Sequence, residues 1–261
     1  MNILGLIPQT YGNLILFILM LTRITSLFST FILFQRKYVN ARVVISLSSV
    51  LALYAILITQ NQPPKYELFS FSMTFDLIMQ ALIGFVSGLI LNIIFEIFTA
   101  LGQIISTQIG FSMVTLIDPT LGAITPLTLF YNYFAILIFL LLNGHLIVIQ
   151  LILDSFISIP INSLAFPFYR IKEIVIFTNN IFSTGISLSI TIIISMLLTN
   201  ITIAVMSRFA PQFNIFSVGI NITMILGLIF VYLTFNLLVS HGEDIFQNGF
   251  LFLSHIILGT K

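Results

Sequence analysis

Apolar positions gather into six runs separated by short polar stretches: Leu14 to Phe34, Val43 to Thr59, Leu77 to Gln108, Leu127 to Leu153, Ile174 to Met206 and Phe216 to Val239. A helix needs roughly 20 apolar residues to cross the hydrocarbon of a bilayer, so each run approaches or exceeds one crossing. The pattern predicts an all-α membrane protein of long apolar helices, read as one domain over residues 1–261. The breaks have local causes. Gln60-Asn61-Gln62-Pro63-Pro64-Lys65 is polar and loses a backbone donor at both prolines, which makes a loop. Pro160 and Pro167 mark another loop, and Arg208 to Asn214 a polar elbow; the tail after Val239 reads as amphipathic at best.

Two of the runs carry a second pattern. In the third, Ala81, Gly84, Gly88, Asn92, Glu96, Thr99, Gln103, Ser106, Thr107 and Gly110 recur at steps of one, three and four residues. At about 100° per residue they fall in one sector of roughly 140°. In the fifth, Asn180, Thr184, Ser187, Thr191, Ser195, Thr199 and Thr202 share a face. Small and hydroxylated residues on a spanning helix let backbones approach and hydrogen-bond across helices. Both stripes therefore expect protein against them, either inside one bundle or from neighbouring subunits.

Composition sharpens the class. Of 261 residues, 59% are hydrophobic and 7% charged, with a mean hydropathy of +1.16; a soluble domain carries about 25% charged residues. The net charge of +1 gives no electrostatic case for nucleic acid. The chain has no cysteine, which excludes disulfides and thiolate chemistry. If the six runs alternate across the membrane, Arg36, Lys37, Arg42 and Arg208 fall on one side and Lys65, Arg170, Lys172 and Lys261 on the other. The positive-inside rule is then tied, unlike in an ordinary multispan protein.

Candidate chemistry is sparse. Glu96 lies deep in an apolar run, where an ionisable side chain must face water, be protonated or be paired, Arg23 being one possible partner. It could serve as the coupling carboxylate of a small-molecule or ion transporter. His145 and Asp154 fall at opposite ends of one helical stretch, and the histidine is expected to be packed and hydrogen-bonded. No nucleophile elbow, His-Glu-x-x-His or phosphate-cradling loop is present, so no catalytic residue, cofactor or metal is expected. Gly84 and Gly88 form a Gly-x-x-x-Gly pair, read as close packing. The loop from Gly110 to Pro126 mixes Phe111, Met113, Leu116, Ile117 and Leu121 with Gly110, Gly122 and an Asp118-Pro119 turn. Such an apolar, jointed loop suits a segment buried in protein, one closing a pore, or one dipping into the headgroups.

Several motifs together carry a resemblance. Gln108-Ile109-Gly110-Phe111-Ser112-Met113, Asp118-Pro119, Phe139, Gly144-His145 and Asp154-Ser155-Phe156 with Pro160 are supportive. The specific stretch is Ser207-Arg208-Phe209-Ala210-Pro211-Gln212-Phe213-Asn214-Ile215-Phe216-Ser217-Val218-Gly219. The chain resembles the FliR family of the type III secretion export apparatus, and the Val-Gly ending leans towards the flagellar rather than the injectisome (SpaR/SctT) branch. It departs from the family pattern after Gly219, where Ile220 and Thr223 stand in place of the usual proline and basic residue.

The resemblance implies a non-enzymatic component of the export gate in the bacterial inner membrane, within the flagellar basal body. Its helices would be held in broken hairpins among FliP- and FliQ-like subunits, beside FlhB- and FlhA-like neighbours and lipid. Unfolded flagellar subunits would cross through the gate. The loop after the third helix would plug the closed pore, centred here on Ser106, Gly110, Phe111, Ser112, Met113, Leu116, Asp118, Pro119 and Gly122. Gly84, Gly88, Asn92, Glu96, Gln103, Thr191 and Ser195 would make helix or subunit contacts. Arg208, Pro211, Gln212, Asn214, Phe216 and Gly219 would form the family's elbow. There, Pro211 ends a helix while Gln212 and Asn214 satisfy bare backbone groups.

Overall fold

The computed structural model describes residues 3–35, 39–59, 70–111, 124–161, 170–209 and 219–259. Helices make up its regular structure, with no strand among the described residues: α1 (Ile3–Thr30), α2 (Ala41–Thr59), α3 (Phe71–Ile109), α4 (Pro126–Leu141), α5 (Gly144–Ser158), α6 (Ile171–Phe209) and α7 (Ile220–Leu258). A 3-10 turn, Ile32–Phe34, follows α1. Among the described residues, five helices are long and apolar enough to cross a membrane, or six if α4 and α5 together count as one broken span. At 1.5 Å per residue, the 39 residues of α3, α6 and α7 each give roughly 58 Å, about twice the hydrocarbon thickness.

Local chemistry sets the ends. Asn40 Oδ1 accepts from the Arg42 N–H before α2, and Ser70 Oγ from the Met73 N–H at the start of α3, each satisfying a donor with no partner inside the helix. Thr125 does the same for Thr128 at α4, where Pro126 takes the first helical position at no cost in hydrogen bonds. Gly110, at φ 95°, closes α3, and Gly259, at φ 70°, closes α7, both in the left-handed region that glycine enters freely.

The fourth apolar run is not one helix. Asn143 takes φ 54°, a conformation asparagine tolerates better than most residues, and its N–H turns back to Leu140 O. The run therefore divides into α4 and α5. At the far end, the tail after Val239 continues in α7 to Leu258. Leu238, Gly242, Ile245, Phe246, Phe250, Leu253, Ile256 and Ile257 are buried while Ser240, Asp244, Gln247 and Asn248 are exposed, so amphipathic packing extends the helix.

The chain divides into two compact units, one of residues 1–93, 144–175 and 249–261, the other of residues 94–143 and 176–248. In the first, α1 lies at the centre, with Leu16, Leu19, Met20, Arg23, Ile24, Leu27 and Phe28 fully buried. The core of the second is aromatic. Phe246 stacks on Phe98 at 5.6 Å and meets Phe95 edge-on at 5.2 Å, and Phe139 lies 5.9 Å from Phe246. Such pairs add about 0.5–1.5 kcal/mol each beyond the area they bury.

Candidate functional site: the polar seams

In the first unit, the front of α3 lies directly on α1. A Cβ added at Gly84 would sit 2.2 Å from the Arg23 carbonyl oxygen, and one at Gly88 2.7 Å from that of Leu27. These are backbone contacts that no side chain could yield to. Ser26 Oγ donates to Ala81 O at 2.6 Å, a hydrogen bond from helix to helix. Asn92 then closes the end of α1: its Nδ2 donates to Thr30 O at 2.6 Å and its Oδ1 accepts from the Ile32 N–H at 2.7 Å. Gly84, Gly88 and Asn92 thus make an intrachain seam.

Arg23 anchors the same region. Its side chain is fully buried, yet every acceptor it reaches is uncharged. Nε donates to Gln80 Oε1 at 2.7 Å, Nη1 to Ser155 O at 2.9 Å and Oγ at 3.0 Å, and Nη2 to Ile159 O at 3.0 Å. The guanidinium also sits 4.4 Å over the Phe156 ring. Ser155 and Ile159 carry carbonyls at the C-terminal end of α5, where the helix dipole presents partial negative charge. A fixed fork of donors matched to helix-end carbonyls and an aromatic face can hold a buried cation without a carboxylate. Pairing with Glu96, expected as one option, is not what Arg23 does. Gln80 and Ser155, the residues that satisfy it, escaped the sequence reading because they lie 57 and 132 positions away.

Glu96 and Gln103 are exposed on α3, and between them Thr99 donates to Asn132 Oδ1 of α4 at 2.8 Å. A charged side chain at the centre of a spanning helix costs about 2.5–3.5 kcal/mol on insertion scales, so lipid is a poor neighbour for Glu96. Ser106 is buried, and Phe111, half-buried, follows Gly110. Ser112, Met113, Leu116, Asp118, Pro119 and Gly122 of the expected plug lie outside the described residues, as do Pro211, Gln212, Asn214 and Phe216 of the elbow. Arg208 is exposed in the last turn of α6 and Gly219 is buried at the entry to α7.

The α6 stripe behaves differently from the seam. Asn180, Thr184, Ser187, Thr191 and Thr202 are exposed, and Ser195 and Thr199 half-buried. The helix packs instead through Ile181, Gly185, Ser189, Ile192 and Met196. The hydroxyls of Thr184, Ser187, Ser195, Thr199 and Thr202 each donate to a carbonyl four residues earlier, which satisfies them without a partner helix. His145, expected to be packed, is exposed in the first turn of α5. Arg170, missed as a site residue, donates to His255 O and Ile256 O at the end of α7, and His255 Nδ1 lies 3.5 Å from Glu173 Oε2. No cluster of metal-ligating side chains occurs among the described residues.

Long apolar helices, a glycine seam and exposed polar faces are the features to be set beside known proteins. Residues 14–249 match the family described as bacterial export proteins, family 1. The chain belongs to that family. Among its relatives, a flagellar biosynthetic protein FliR of Buchnera aphidicola subsp. Baizongia pistaciae is 34% identical over 85% of this chain and 88% of its own length. The FliR protein of Escherichia coli K12 is 30% identical over 91% of this chain and 90% of its own. A surface presentation of antigens protein SpaR of Shigella flexneri is 31% identical over 61% of this chain and 62% of its own. As an export protein of this family, the chain is multi-pass, with the helices to cross the membrane five or six times.

Proposed function

We propose that this chain serves the flagellar type III export apparatus as a structural and gating subunit of the pore for unfolded flagellar proteins, in the inner membrane at the basal body. The carrying observation is extent. Its likeness to FliR proteins reaches 85% and 91% of the chain, against 61% for the injectisome-type SpaR. The exposed α6 stripe supports a place among FliP- and FliQ-like subunits, with FlhB- and FlhA-like neighbours, since small and hydroxylated residues left uncovered on a spanning helix let another helix approach closely. Both compact units would act within one domain. The segment from Ser106 to Gly122 would close the resting pore, with Phe111 and Met113 as its apolar stoppers.

Affinity purification from native membranes is expected to bring down FliP- and FliQ-like subunits in fixed ratio; a chain that comes out of those membranes without any such subunit overturns the assignment. Removing part of the stretch from Phe111 to Leu121 should raise ion leakage through the membrane, and unchanged conductance would remove the closing role. A transporter using Glu96 would lose proton-coupled uptake in vesicles on Glu96→Gln, whereas the export reading expects no uptake in the unaltered protein.

A further inference from the structure

In the first unit, a cavity of about 400 Å³ opens between α1 and α2, beside the corner that joins them. Thr22, Thr25, Ser26 and Ser29 of α1 give it a hydroxyl wall, while Phe34, Val44 and Ile45 supply an apolar side. A water takes about 30 Å³ and small-ligand sites run from roughly 300 to 1,000 Å³, so the space is of ligand size. Its depth in the membrane follows from the helices. The span of α1 ends at Thr30 and that of α2 begins at Ala41. The 19 residues of α2 are roughly 28 Å long, one hydrocarbon thickness, so its ends lie at the bilayer surfaces. A cavity that also touches Ala41 therefore reaches headgroup level.

The hydroxyl wall has a definite polarity. Each hydroxyl carries one proton, and all four protons are committed. Thr22 Oγ1 donates to Ile18 O at 2.8 Å, Thr25 Oγ1 to Leu21 O at 2.7 Å, Ser26 Oγ to Ala81 O at 2.6 Å and Ser29 Oγ to Ser26 O at 3.0 Å. What remains for a ligand is lone pairs. A phosphate oxygen finds no donor on that wall, whereas a primary ammonium has three protons to give it. Positive charge stands next to the cavity instead: Arg42 is exposed and directly follows the lining Ala41. Its long side chain is suited to a phosphate at the membrane surface. A partner helix is a poorer match. Its backbone donors are spent within itself, and a lysine reaching in from it would bring a charge without the phosphate that answers Arg42.

We infer that this cavity binds a phospholipid with an ethanolamine headgroup. The ammonium donates to Thr22, Thr25 and Ser29, the phosphate meets Arg42, and the acyl chains enter the bilayer past the exposed Ile45. A choline headgroup supplies the contrast, because its nitrogen has no proton to donate. Quaternary ammonium sites use aromatic cages, and this lining has one ring, Phe34, already packed 4.7 Å from Phe28. The site asks only that the chain sit in a membrane, and so stands apart from the export reading.

The full chain, with the subunits that accompany it, would be placed in phosphatidylcholine vesicles containing a trace of photoactivatable lipid. Two such lipids would be compared, identical except for an ethanolamine or a choline headgroup, and the labelled peptides mapped. Peptides covering residues 22–29 and 39–45 should take up the ethanolamine lipid about tenfold more, what one charge-assisted hydrogen bond is worth. Thr25→Val with Ser29→Ala removes two acceptors whose protons serve only their own helix. That double variant should label no better with the ethanolamine lipid than with the choline one. Equal labelling of the unaltered chain by both lipids would leave an ordinary lipid contact and overturn the inference. A double variant labelled like the unaltered chain would overturn it as well. So would peptides that neither lipid reaches; labelling gained only once the chain is freed of its partners would then name a partner helix as the occupant. Should the double variant not be recovered, the two lipids on the unaltered chain decide alone.

Discussion

Ala81, Gly84, Gly88 and Asn92 of α3 lie against α1, whereas Thr184, Ser187 and Thr191 of α6 stand exposed, although both stripes share the same spacing of small and polar residues. The difference lies in what the small residues are. Two glycines one turn apart bring backbone onto backbone, a fit that nothing else in the chain can replace. A stripe of serines and threonines whose hydroxyls return to their own helix is satisfied as it stands, and can await a neighbour. The glycine on α6 shows the same logic, because Gly185 sits off the stripe, on the face that packs against Ile97.

The largest blow to this contrast should come from Gly84→Leu. Its Cβ would meet the Arg23 carbonyl, so α1 and α3 must separate, at a cost of about 3 kcal/mol or more, and little folded chain should be recovered from detergent. Normal recovery would show that the seam is looser than described. Arg23→Met should follow, at about 2–3 kcal/mol, since Gln80 Oε1, Ser155 O and Ile159 O each lose a buried donor; the drop in unfolding midpoint measures it. Asn92→Ala removes both hydrogen bonds at the end of α1 and should cost about 1–2 kcal/mol by the same assay. Thr191→Ala and Ser195→Ala should move the midpoint of the isolated chain by less than about 0.5 kcal/mol. Thr191→Leu and Ser195→Leu sharpen the contrast, because they should spare the chain yet lower recovery of the assembled complex. A stability loss as large as that of Gly84→Leu would mean that α6 already has its partner inside the chain.

Helix positions were legible because a run of apolar residues long enough to span a bilayer has few alternatives. The misreadings have physical causes. Asn143 ends α4 through one left-handed backbone conformation; its only trace is the Asn143-Gly144 pair, outweighed by an apolar run that continues through Leu153. The end of α7 was missed because Ser240 to Asn248 is polar on one face only, and a tally of residues hides the buried one. Gly84 and Gly88 were legible as close packing, but their partner was not: α1 lies some 60 positions back, and nothing in the local pattern names it. The Arg23 site was hidden for the same reason, compounded by the expectation that a cation seeks a carboxylate when helix-end carbonyls can serve.

Asn92 completes the exit from α1, holding Thr30 O and the Ile32 N–H from 62 and 60 positions further along the chain. When α1 and α2 leave the ribosome, the residue that finishes their junction has yet to emerge. The first hairpin must therefore wait in the membrane with its corner unmade, and the arrival of the third helix fixes the path of the segment that preceded it.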